Sequence, residues 1–245
     1  MEYVFKRTNM LRDLDFHYCP GCSHGIIHRL IAECVEELGL ADRTIGVAPV
    51  GCAVLAYEYF NCDMQEAAHG RAPAVATGIK RTHKDAFVFT YQGDGDLASI
   101  GAAEIVHAAA RSENISVFFV NNAIYGMTGG QMAPTTLVGQ KATTSPHGRD
   151  KVTAGMPIRM SELLSTIEGA YYIERVKVVD VKSIRHAKAC IKKSIQYQME
   201  GKGFSMVEIL STCPTGWGMT PLKAIDWLND DMVSYYPLGL VKEGN

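Results

Sequence analysis

The chain has 245 residues, of which 47% are hydrophobic and 20% are charged, a composition that excludes a disordered chain and predicts a globular protein with its own core. Its formal net charge of −2 argues against bulk binding to nucleic acid or to anionic membranes. Because residues 1–7 lack the apolar stretch of a signal peptide, and no apolar run reaches the roughly 18 residues of a transmembrane helix, we expect a cytoplasmic enzyme.

The first half of the chain predicts alternating helices and strands. After a mixed segment over residues 1–18, apolar residues recur every three or four positions between Gly25 and Leu38. This spacing predicts a helix that stops at Gly39. The further predicted elements are a strand over 44–50, a helix over 72–81, a strand over 86–91, a turn over 92–96, a helix over 99–111 and a strand over 115–120.

The second half resumes this alternation after a long loop. Residues 126–157 are rich in Gly, Thr and Pro and predict a functional loop. The next predicted elements are a strand over 171–179, a helix over 183–200, a strand over 204–210 and a short helix over 222–228. Since no repeat or low-complexity linker interrupts the chain, we expect one α/β domain over residues 1–245, with a doubly wound, mostly parallel sheet.

A Gly-Asp-Gly turn and an Asn-Asn pair follow two successive apolar strands. Gly93-Asp94-Gly95 is separated from Asn121-Asn122 by 25 residues. Glycines let the backbone approach a phosphate, and ligands of parallel sheets bind at the carboxyl ends of the strands. The Asp94 carboxylate, the Asn122 amide and the Ile124 carbonyl are oxygen donors suited to Mg²⁺. Residues 93–128 contain no Lys and a single, distant Arg, so the metal must neutralise most of a bound diphosphate.

Seven cysteines without an export signal argue against a disulfide framework. Cys19 and Cys22 form a C-x₂-C pair, while Cys52 and Cys213 each follow an apolar strand. Both strand ends belong to the edge that carries the Gly-Asp-Gly turn, so four thiolates can converge there. From the residues alone, an iron–sulfur cluster and a zinc site both remain open.

The three other cysteines carry no such prediction. Cys34 and Cys190 fall within helical patterns and are expected to be small core residues. Cys62 lies in a polar stretch and stays unassigned. A basic stretch over residues 185–193 is either a solvated helix face or a docking face for an acidic ferredoxin.

Together these motifs resemble those of the thiamine diphosphate (TPP) enzymes and, within them, the β subunits of the 2-oxoacid:ferredoxin oxidoreductases. The resemblance covers nearly the whole chain and includes Cys19-Pro20-Gly21-Cys22, Gly51-Cys52 and residues 69–72, 126–131 and 134–136. It implies a TPP-binding fold of the diphosphate type. It also implies Mg²⁺ held by Asp94, Asn122 and the Ile124 carbonyl, and one 4Fe–4S cluster held by Cys19, Cys22, Cys52 and Cys213.

A larger set of residues is implied to contact TPP. These residues are Gly51, Cys52, His69, Gly93, Asp94, Gly95, Asp96, Asn122, Ile124, Tyr125, Gly126, Met127 and Thr128. The implied activity is oxidative decarboxylation of a 2-oxoacid to an acyl-CoA, with electrons passing through the cluster to ferredoxin.

The resemblance also implies partners. TPP enzymes activate the aminopyrimidine with a Glu from a second domain, so we expect an α subunit that carries the pyrimidine-binding domain and that catalytic Glu. The chain has no C-x₂-C-x₂-C-x₃-C-P run, so onward electron transfer requires a ferredoxin or a ferredoxin-like subunit. The small-molecule partners are a 2-oxoacid and coenzyme A.

The residues after Cys52 favour one substrate class. Residues 53–57 contain no Lys or Arg, whereas 2-oxoglutarate needs a cation for its distal carboxylate. Apolar walls such as Leu55 instead suit a branched-chain 2-oxoacid such as 2-oxoisovalerate. Because a partner chain or Arg71 could supply the cation, 2-oxoglutarate and pyruvate stay alternatives.

Two other classes of protein remain open. One is a non-oxidative TPP lyase or synthase, which has no use for the four placed cysteines. The other is a non-catalytic protein that only carries a cluster, which has no use for the pairing of Asp94 with Asn122.

Overall fold

Within residues 6–244, which are the residues the computed structural model describes, one seven-stranded sheet forms the centre of the molecule. Residues 1–5 of the mixed N-terminal segment therefore lie outside the described residues. The strands are β1 (Thr44–Ala48), β2 (Asp63–Glu66), β3 (Phe87–Gly93), β4 (Ser116–Asn121), β5 (Ala170–Lys177), β6 (Phe204–Leu210) and β7 (Gly239–Glu243). The helices are α1 (His24–Glu37), α2 (Ala56–Tyr59), α3 (Ala72–Thr82), α4 (Ala102–Ala110), α5 (Met160–Ser165), α6 (Val181–Met199), α7 (Pro214–Trp217), α8 (Pro221–Trp227) and α9 (Val233–Tyr235).

The strands lie in the order β2-β1-β3-β4-β6-β5-β7. Neighbouring strands are parallel, except that β7 pairs antiparallel with β5. The connection from β3 through α4 to β4 is the predicted βαβ unit. This topology confirms the predicted α/β fold with a doubly wound, mostly parallel sheet.

Helices cover both faces of this sheet, which explains why its central strands β3, β4 and β6 are buried along almost their whole length. On one face, Phe118 of β4 packs in a core with residues of α1 and α6. On the other face, Val117 packs in a core with residues of α3 and α4. Successive strand residues point to opposite faces, so a strand buried on both sides shows no polar alternation.

The basic stretch on α6 is largely neutralised by carboxylates of the same chain. The Lys188 ammonium lies 2.6 Å from a Glu33 oxygen and 2.7 Å from a Glu37 oxygen, both on α1. Lys192 also pairs with Glu37 at 2.9 Å. These ion pairs support the interpretation of this stretch as a solvated helix face that packs beside α1.

Two predicted boundaries between β3 and α4 are wrong. The predicted turn over 92–96 is absent, because β3 continues to Gly93, which pairs in register with Val120 of β4. A helical turn starts at once at Asp94, and a π-helical segment over Asp96–Ile100 precedes α4. The strand therefore delivers Asp94 directly into the first turn of a helix.

The loop predicted over 126–157 corresponds to a segment without helices or extended strands between β4 and α5. Arg149 organises it from a buried position, with an exposed fraction of 6%. Its guanidinium donates hydrogen bonds to six backbone carbonyls, those of Ala133, Pro134, Thr136, Ala154, Gly155 and Met156. The segment around Thr135 is thus fixed by one buried cation.

No helix in the described part of the chain has the length and apolarity needed to cross a membrane.

Candidate functional site

A pocket lies at the carboxyl edge of the sheet, above the ends of β1, β3 and β4. It contains about 520 Å³ of empty space that opens to solvent. All thirteen residues that the family resemblance implies as TPP contacts line it, together with His24, Val50 and Ala53. The pocket thus brings together segments that lie more than 70 residues apart in the chain.

Asp94 lies at the bottom of this pocket as a buried carboxyl group, with an exposed fraction of 2%. Its Oδ1 accepts a hydrogen bond from the Gly95 amide at 2.8 Å, and its Oδ2 accepts hydrogen bonds from the Ile124 amide at 3.2 Å and from the Thr135 hydroxyl. Burial raises the pKa of Asp94 to about 7, and hydrogen bonds oppose this rise only in part. The donors that surround the carboxylate are neutral, which fits a group that receives a metal cation.

Asn122 and Asp94 are linked through the backbone amide of Ile124. The Ile124 amide that reaches Asp94 also points to the Asn122 Oδ1, at 3.3 Å, so the two side-chain oxygens share one donor. Ala123 takes a left-handed conformation with φ of 56°, which a non-glycine residue adopts at a cost. The Trp217 indole donates to the Asn122 carbonyl at 2.9 Å and fixes the turn from the other side. This oxygen-rich corner fits Mg²⁺.

The pocket also fits a diphosphate at its glycines. A Cβ added to Gly51 or to Gly93 would meet no atom of the described chain within 4 Å, so the backbone there faces open space. Gly95 is different, because a Cβ would lie 2.2 Å from the Tyr125 ring. Gly95 therefore allows the Tyr125 segment to close onto the first helical turn after β3.

Asp96 and His69 form a pair in the same pocket as Asp94 and Asn122. The buried Asp96 accepts hydrogen bonds from the Gly70 amide at 2.6 Å, from the Gln92 amide at 2.7 Å and from the His69 imidazole. The contact with Asp96 fixes the orientation of the His69 ring, whose side chain is 35% exposed. The family resemblance implies that both residues contact TPP, and the geometry adds that Asp96 positions His69.

The four cysteines of the sequence motif gather next to the same pocket. A Cβ added to Gly126 would lie 3.1 Å from the Cys213 sulfur and 3.7 Å from the Cys52 sulfur. Burial raises the pKa of Cys22 to about 11, and the neighbouring Cys52 and Cys19 thiols add to this effect. Burial likewise raises the pKa of Cys213 to about 12, with smaller contributions from Cys22 and Cys52.

Hydrogen bonds explain how the N-terminal cysteine pair reaches the end of β6. The Thr212 hydroxyl donates to the Gly21 carbonyl at 2.6 Å and lies 2.9 Å from the Ser23 hydroxyl. Gly21 takes φ of 79°, and a Cβ there would clash with Pro221. All seven cysteines are free thiols, and the four that converge here fit an iron–sulfur cluster.

The remaining cysteines lie elsewhere. Cys34 and Cys190 are buried in the core, as predicted. Cys62 is half-buried, and its sulfur lies 3.8 Å from the Met64 sulfur. Burial raises the pKa of Cys62 to about 12, so its thiol stays protonated and packs as an apolar group.

A buried histidine–tyrosine cluster beside the cysteines was not predicted. The His24 Nδ1 lies 2.5 Å from the Tyr91 hydroxyl, and the His28 Nε2 lies 2.6 Å from the Tyr18 hydroxyl. Burial lowers the pKa of His24 to about 3, so the ring is neutral and its hydrogen bond with Tyr91 joins two uncharged groups. The sequence feature that could have revealed this cluster is the i, i+4 spacing of His24 and His28 on the apolar face of α1.

Comparisons with known proteins identify the family of this chain. Residues 49–209 match the family described as "Thiamine pyrophosphate enzyme, C-terminal TPP binding domain". The chain is 51% identical over 235 residues to the ketoisovalerate oxidoreductase subunit VorA of Methanothermobacter thermautotrophicus, covering 96% of this chain and 49% of the relative. It is 38% identical over 203 residues to the 2-oxoglutarate synthase subunit KorB of Methanocaldococcus jannaschii, covering 82% of this chain and 70% of the relative.

A solved structure shares the fold. It is a 2-oxoglutarate:ferredoxin oxidoreductase from Magnetococcus marinus with 2-oxoglutarate, coenzyme A and succinyl-CoA bound. The TM-score is 0.80 at 26% identity, and the match covers 99% of this chain and 86% of the other. The chain spans about half the length of the ketoisovalerate oxidoreductase subunits that it matches.

Proposed function

Because this chain belongs to the TPP-binding β subunits of the 2-oxoacid:ferredoxin oxidoreductases, we propose that it carries the diphosphate side of an active site that oxidises 2-oxoisovalerate. In this reaction a branched-chain 2-oxoacid loses CO₂ and its acyl group passes to coenzyme A, while two electrons leave one at a time to ferredoxin. The observation that carries the proposal is the buried Asp94 carboxylate, which has only neutral donors around it and shares one of them with Asn122.

In the proposed complex, Asp94, Asn122 and the Ile124 carbonyl would hold Mg²⁺, and the open backbone at Gly51 and Gly93 would face TPP. TPP supplies the nucleophilic carbon and the electron sink for decarboxylation, and a 4Fe–4S cluster supplies the one-electron acceptor. The chain contributes position: Thr135 holds the Asp94 oxygen and Asp96 orients the His69 ring. Gly95 keeps the Tyr125 ring against the helical turn.

The cluster ligands are proposed to be Cys19, Cys22, Cys52 and Cys213. Cys52 and Cys213 lie beside Gly126, which also lines the TPP pocket, and this supports the assignment. Cys19 and Cys22 lie close enough to Cys52 to affect its thiol or be affected by it. A short path between the pocket and the thiols suits direct electron transfer. A zinc ion in the same thiols would leave the decarboxylation without an electron acceptor, so the iron–sulfur cluster is favoured.

The preference for an aliphatic substrate rests on the lining of the pocket. The described residues that line it include no Lys or Arg, and Val50, Ala53 and Met127 give it an apolar wall. Leu55, which the sequence places near the cofactor, is not among the lining residues. Arg71 forms an ion pair with Glu104 and so is already engaged. The 51% identity to a ketoisovalerate oxidoreductase subunit points the same way.

Partner chains complete the proposed enzyme. Val50, Ile100 and Met127 are between 41% and 53% exposed, and two of them line the pocket. Exposed apolar side chains around a pocket are typical of a surface that another chain covers. We assign that chain as the α subunit, which brings the pyrimidine-binding domain and the catalytic Glu, with ferredoxin as the electron acceptor.

The test uses the enzyme purified anaerobically with its partner chains. We expect it to reduce ferredoxin only when a 2-oxoacid and coenzyme A are both present. The kcat/KM for 2-oxoisovalerate should exceed that for 2-oxoglutarate at least tenfold, about 1.4 kcal/mol. Release of CO₂ without reduction of the acceptor would instead identify a non-oxidative TPP enzyme. Iron without TPP would identify a protein that only carries a cluster.

A pair of variants tests the substrate preference separately. Arg71→Ala should leave the ratio of the two kcat/KM values unchanged, because the guanidinium is engaged by Glu104. Glu104→Gln frees that guanidinium and should raise the relative use of 2-oxoglutarate. A wild-type preference for 2-oxoglutarate would overturn the substrate assignment and leave the cofactor assignment intact.

A further inference from the structure

A second group of metal-ligating side chains lies away from the pocket, between β5 and α6. Glu174 of β5 and His186 and Cys190 of α6 place a carboxylate oxygen, an imidazole nitrogen and a thiol sulfur within 4.8 Å of one another. Across residues 6–244, no other group of three His, Cys, Asp or Glu side chains meets this criterion. In the sheet, β6 separates β5 from the β3–β4 pair that carries the metal corner of the pocket.

Distances within the group match a tetrahedral ion. The His186 Nε2 lies 3.2 Å from the Glu174 Oε1 and 3.6 Å from the Cys190 sulfur. Zinc bonds of about 2.3 Å to sulfur and about 2.1 Å to nitrogen and oxygen, at tetrahedral angles, place nitrogen and sulfur about 3.6 Å apart and nitrogen and oxygen about 3.4 Å apart. His186 and Cys190 reach this arrangement because residues four positions apart share one face of a helix.

A neighbouring hydroxyl orients the carboxylate. Tyr172, two residues before Glu174 on the same face of β5, donates its hydroxyl hydrogen bond to the Glu174 Oε2. That contact leaves the Oε1 facing His186. Metal-ligating carboxylates are commonly fixed by such a hydrogen bond to the oxygen that does not bind the metal.

Access to the group comes from one side only. The Glu174 and His186 side chains are 9% and 58% exposed, and Cys190 is buried. Two ligands are therefore fixed inside the fold, while the third borders solvent. An ion can enter past the imidazole, and a water molecule can complete its coordination.

We propose that Glu174, His186 and Cys190 bind one Zn²⁺ ion with water as the fourth ligand. The set of one sulfur, one nitrogen and one oxygen donor is typical of zinc rather than of Mg²⁺ or Ca²⁺. As the sulfur–zinc bond forms, the Cys190 thiol proton passes to solvent, while the neutral imidazole and the carboxylate bind without losing a proton. The bound ion ties α6 to β5.

The experiment measures zinc in the assembled enzyme with its iron content verified. The probe is Zn²⁺ alone, titrated against a chromophoric chelator, and X-ray absorption at the zinc edge reports the ligand atoms. We expect one zinc per chain with a single sulfur ligand. His186→Ala and Cys190→Ser should each weaken binding at least tenfold, and His186→Ala changes an exposed residue, so the fold is retained.

Two variants serve as matched controls. Cys34→Ser removes a buried thiol of α1, and His83→Ala removes an exposed imidazole, and neither should change zinc affinity. Equal zinc binding by wild type and His186→Ala would overturn the proposal and leave a simple contact between Glu174 and His186. Zinc with four sulfur ligands would also overturn it, because such an ion occupies the four-cysteine site. Neither outcome depends on oxidation of a 2-oxoacid.

Discussion

Asp94 and Glu208 are two buried carboxylates with different surroundings. Glu208, in β6, is fully buried, and its Oε2 accepts a hydrogen bond from the Arg175 guanidinium at 2.9 Å. Asp94 is buried almost as deeply, yet its hydrogen bonds come from two backbone amides and a hydroxyl.

Glu208 thus carries a structural charge that the protein itself neutralises, whereas the charge of Asp94 has no cation of the described chain beside it. Burial lowers the pKa of Arg175, but the Glu208 and Glu162 carboxylates outweigh burial and raise it, so this network keeps its charges. Burial without a cation instead raises the pKa of Asp94 to about 7. A buried carboxylate that the chain itself leaves without a cation is thus a sign of a metal ligand.

The largest expected effect comes from breaking the paired region. Arg175→Met leaves Glu208 buried without its cation and should lower the free energy of unfolding by about 3–5 kcal/mol. Chemical denaturation checks this value. Glu162→Gln is the control, since it removes a half-exposed partner and should cost much less. Equal losses from the two variants would contradict the interpretation of Glu208 as a structural charge.

Removing the charge of Asp94 should affect cofactor binding more than it affects the free energy of unfolding. Asp94→Asn should weaken retention of Mg²⁺ and TPP at least a hundredfold, about 2.7 kcal/mol, because the amide is a poorer metal ligand than the carboxylate. Calorimetric titration with TPP and Mg²⁺ measures it. Asp63→Asn changes an exposed carboxylate on β2 and should bind like wild type. Full TPP retention by Asp94→Asn would refute the assignment.

The free energy of unfolding of the cofactor-free protein should depend on pH because Asp94 is buried without a cation. The expected effect is smaller than that on cofactor binding, because water in the open pocket lessens the cost of burying the Asp94 charge. The pKa of Asp94 rises from 3.8 to about 7 on folding. Between these values the folded protein holds the proton and the unfolded chain does not, so the free energy of unfolding falls as pH rises from about 4 to 7. Denaturation curves over this range should show that fall in wild type and less of it in Asp94→Asn.

The smallest effect concerns Thr135. Thr135→Val keeps the shape of the side chain and removes the hydroxyl that donates to Asp94, so TPP affinity should fall by about tenfold, or about 1.4 kcal/mol. Thr44→Val is the matched control, because its buried hydroxyl lies at the opposite end of the sheet. Identical affinities of the two variants would show that Thr135 does not position Asp94.

The sequence predicts the elements that bury an apolar face. Strand β6 has the predicted bounds, because its seven consecutive residues are all buried and five of them are apolar. Strand β2 was missed, since Asp63–Glu66 is an edge strand with three exposed residues and no apolar alternation. The turn predicted over 92–96 failed because Gly93 keeps its strand pairing, and glycine alone does not reveal that.

Sequence motifs predicted the residues that line the pocket, but they did not predict the residues that hold those side chains in place. Motif spacing places Asp94 and Asn122 at two neighbouring strand ends. The donation from Thr135 to Asp94 joins residues 41 positions apart, and the contact between His24 and Tyr91 joins residues 67 apart. Such pairings depend on the three-dimensional path of loops, which local patterns do not encode.

The six carbonyls around Arg149 have a consequence for the rate of cofactor binding. A guanidinium whose charge is permanent holds the loop around Thr135 in place during folding, before any ligand arrives. The loop then does not have to be ordered during the encounter, so association should approach the rate of a rigid partner. Differences in affinity among variants of this loop should therefore show up mainly as different residence times of the cofactor.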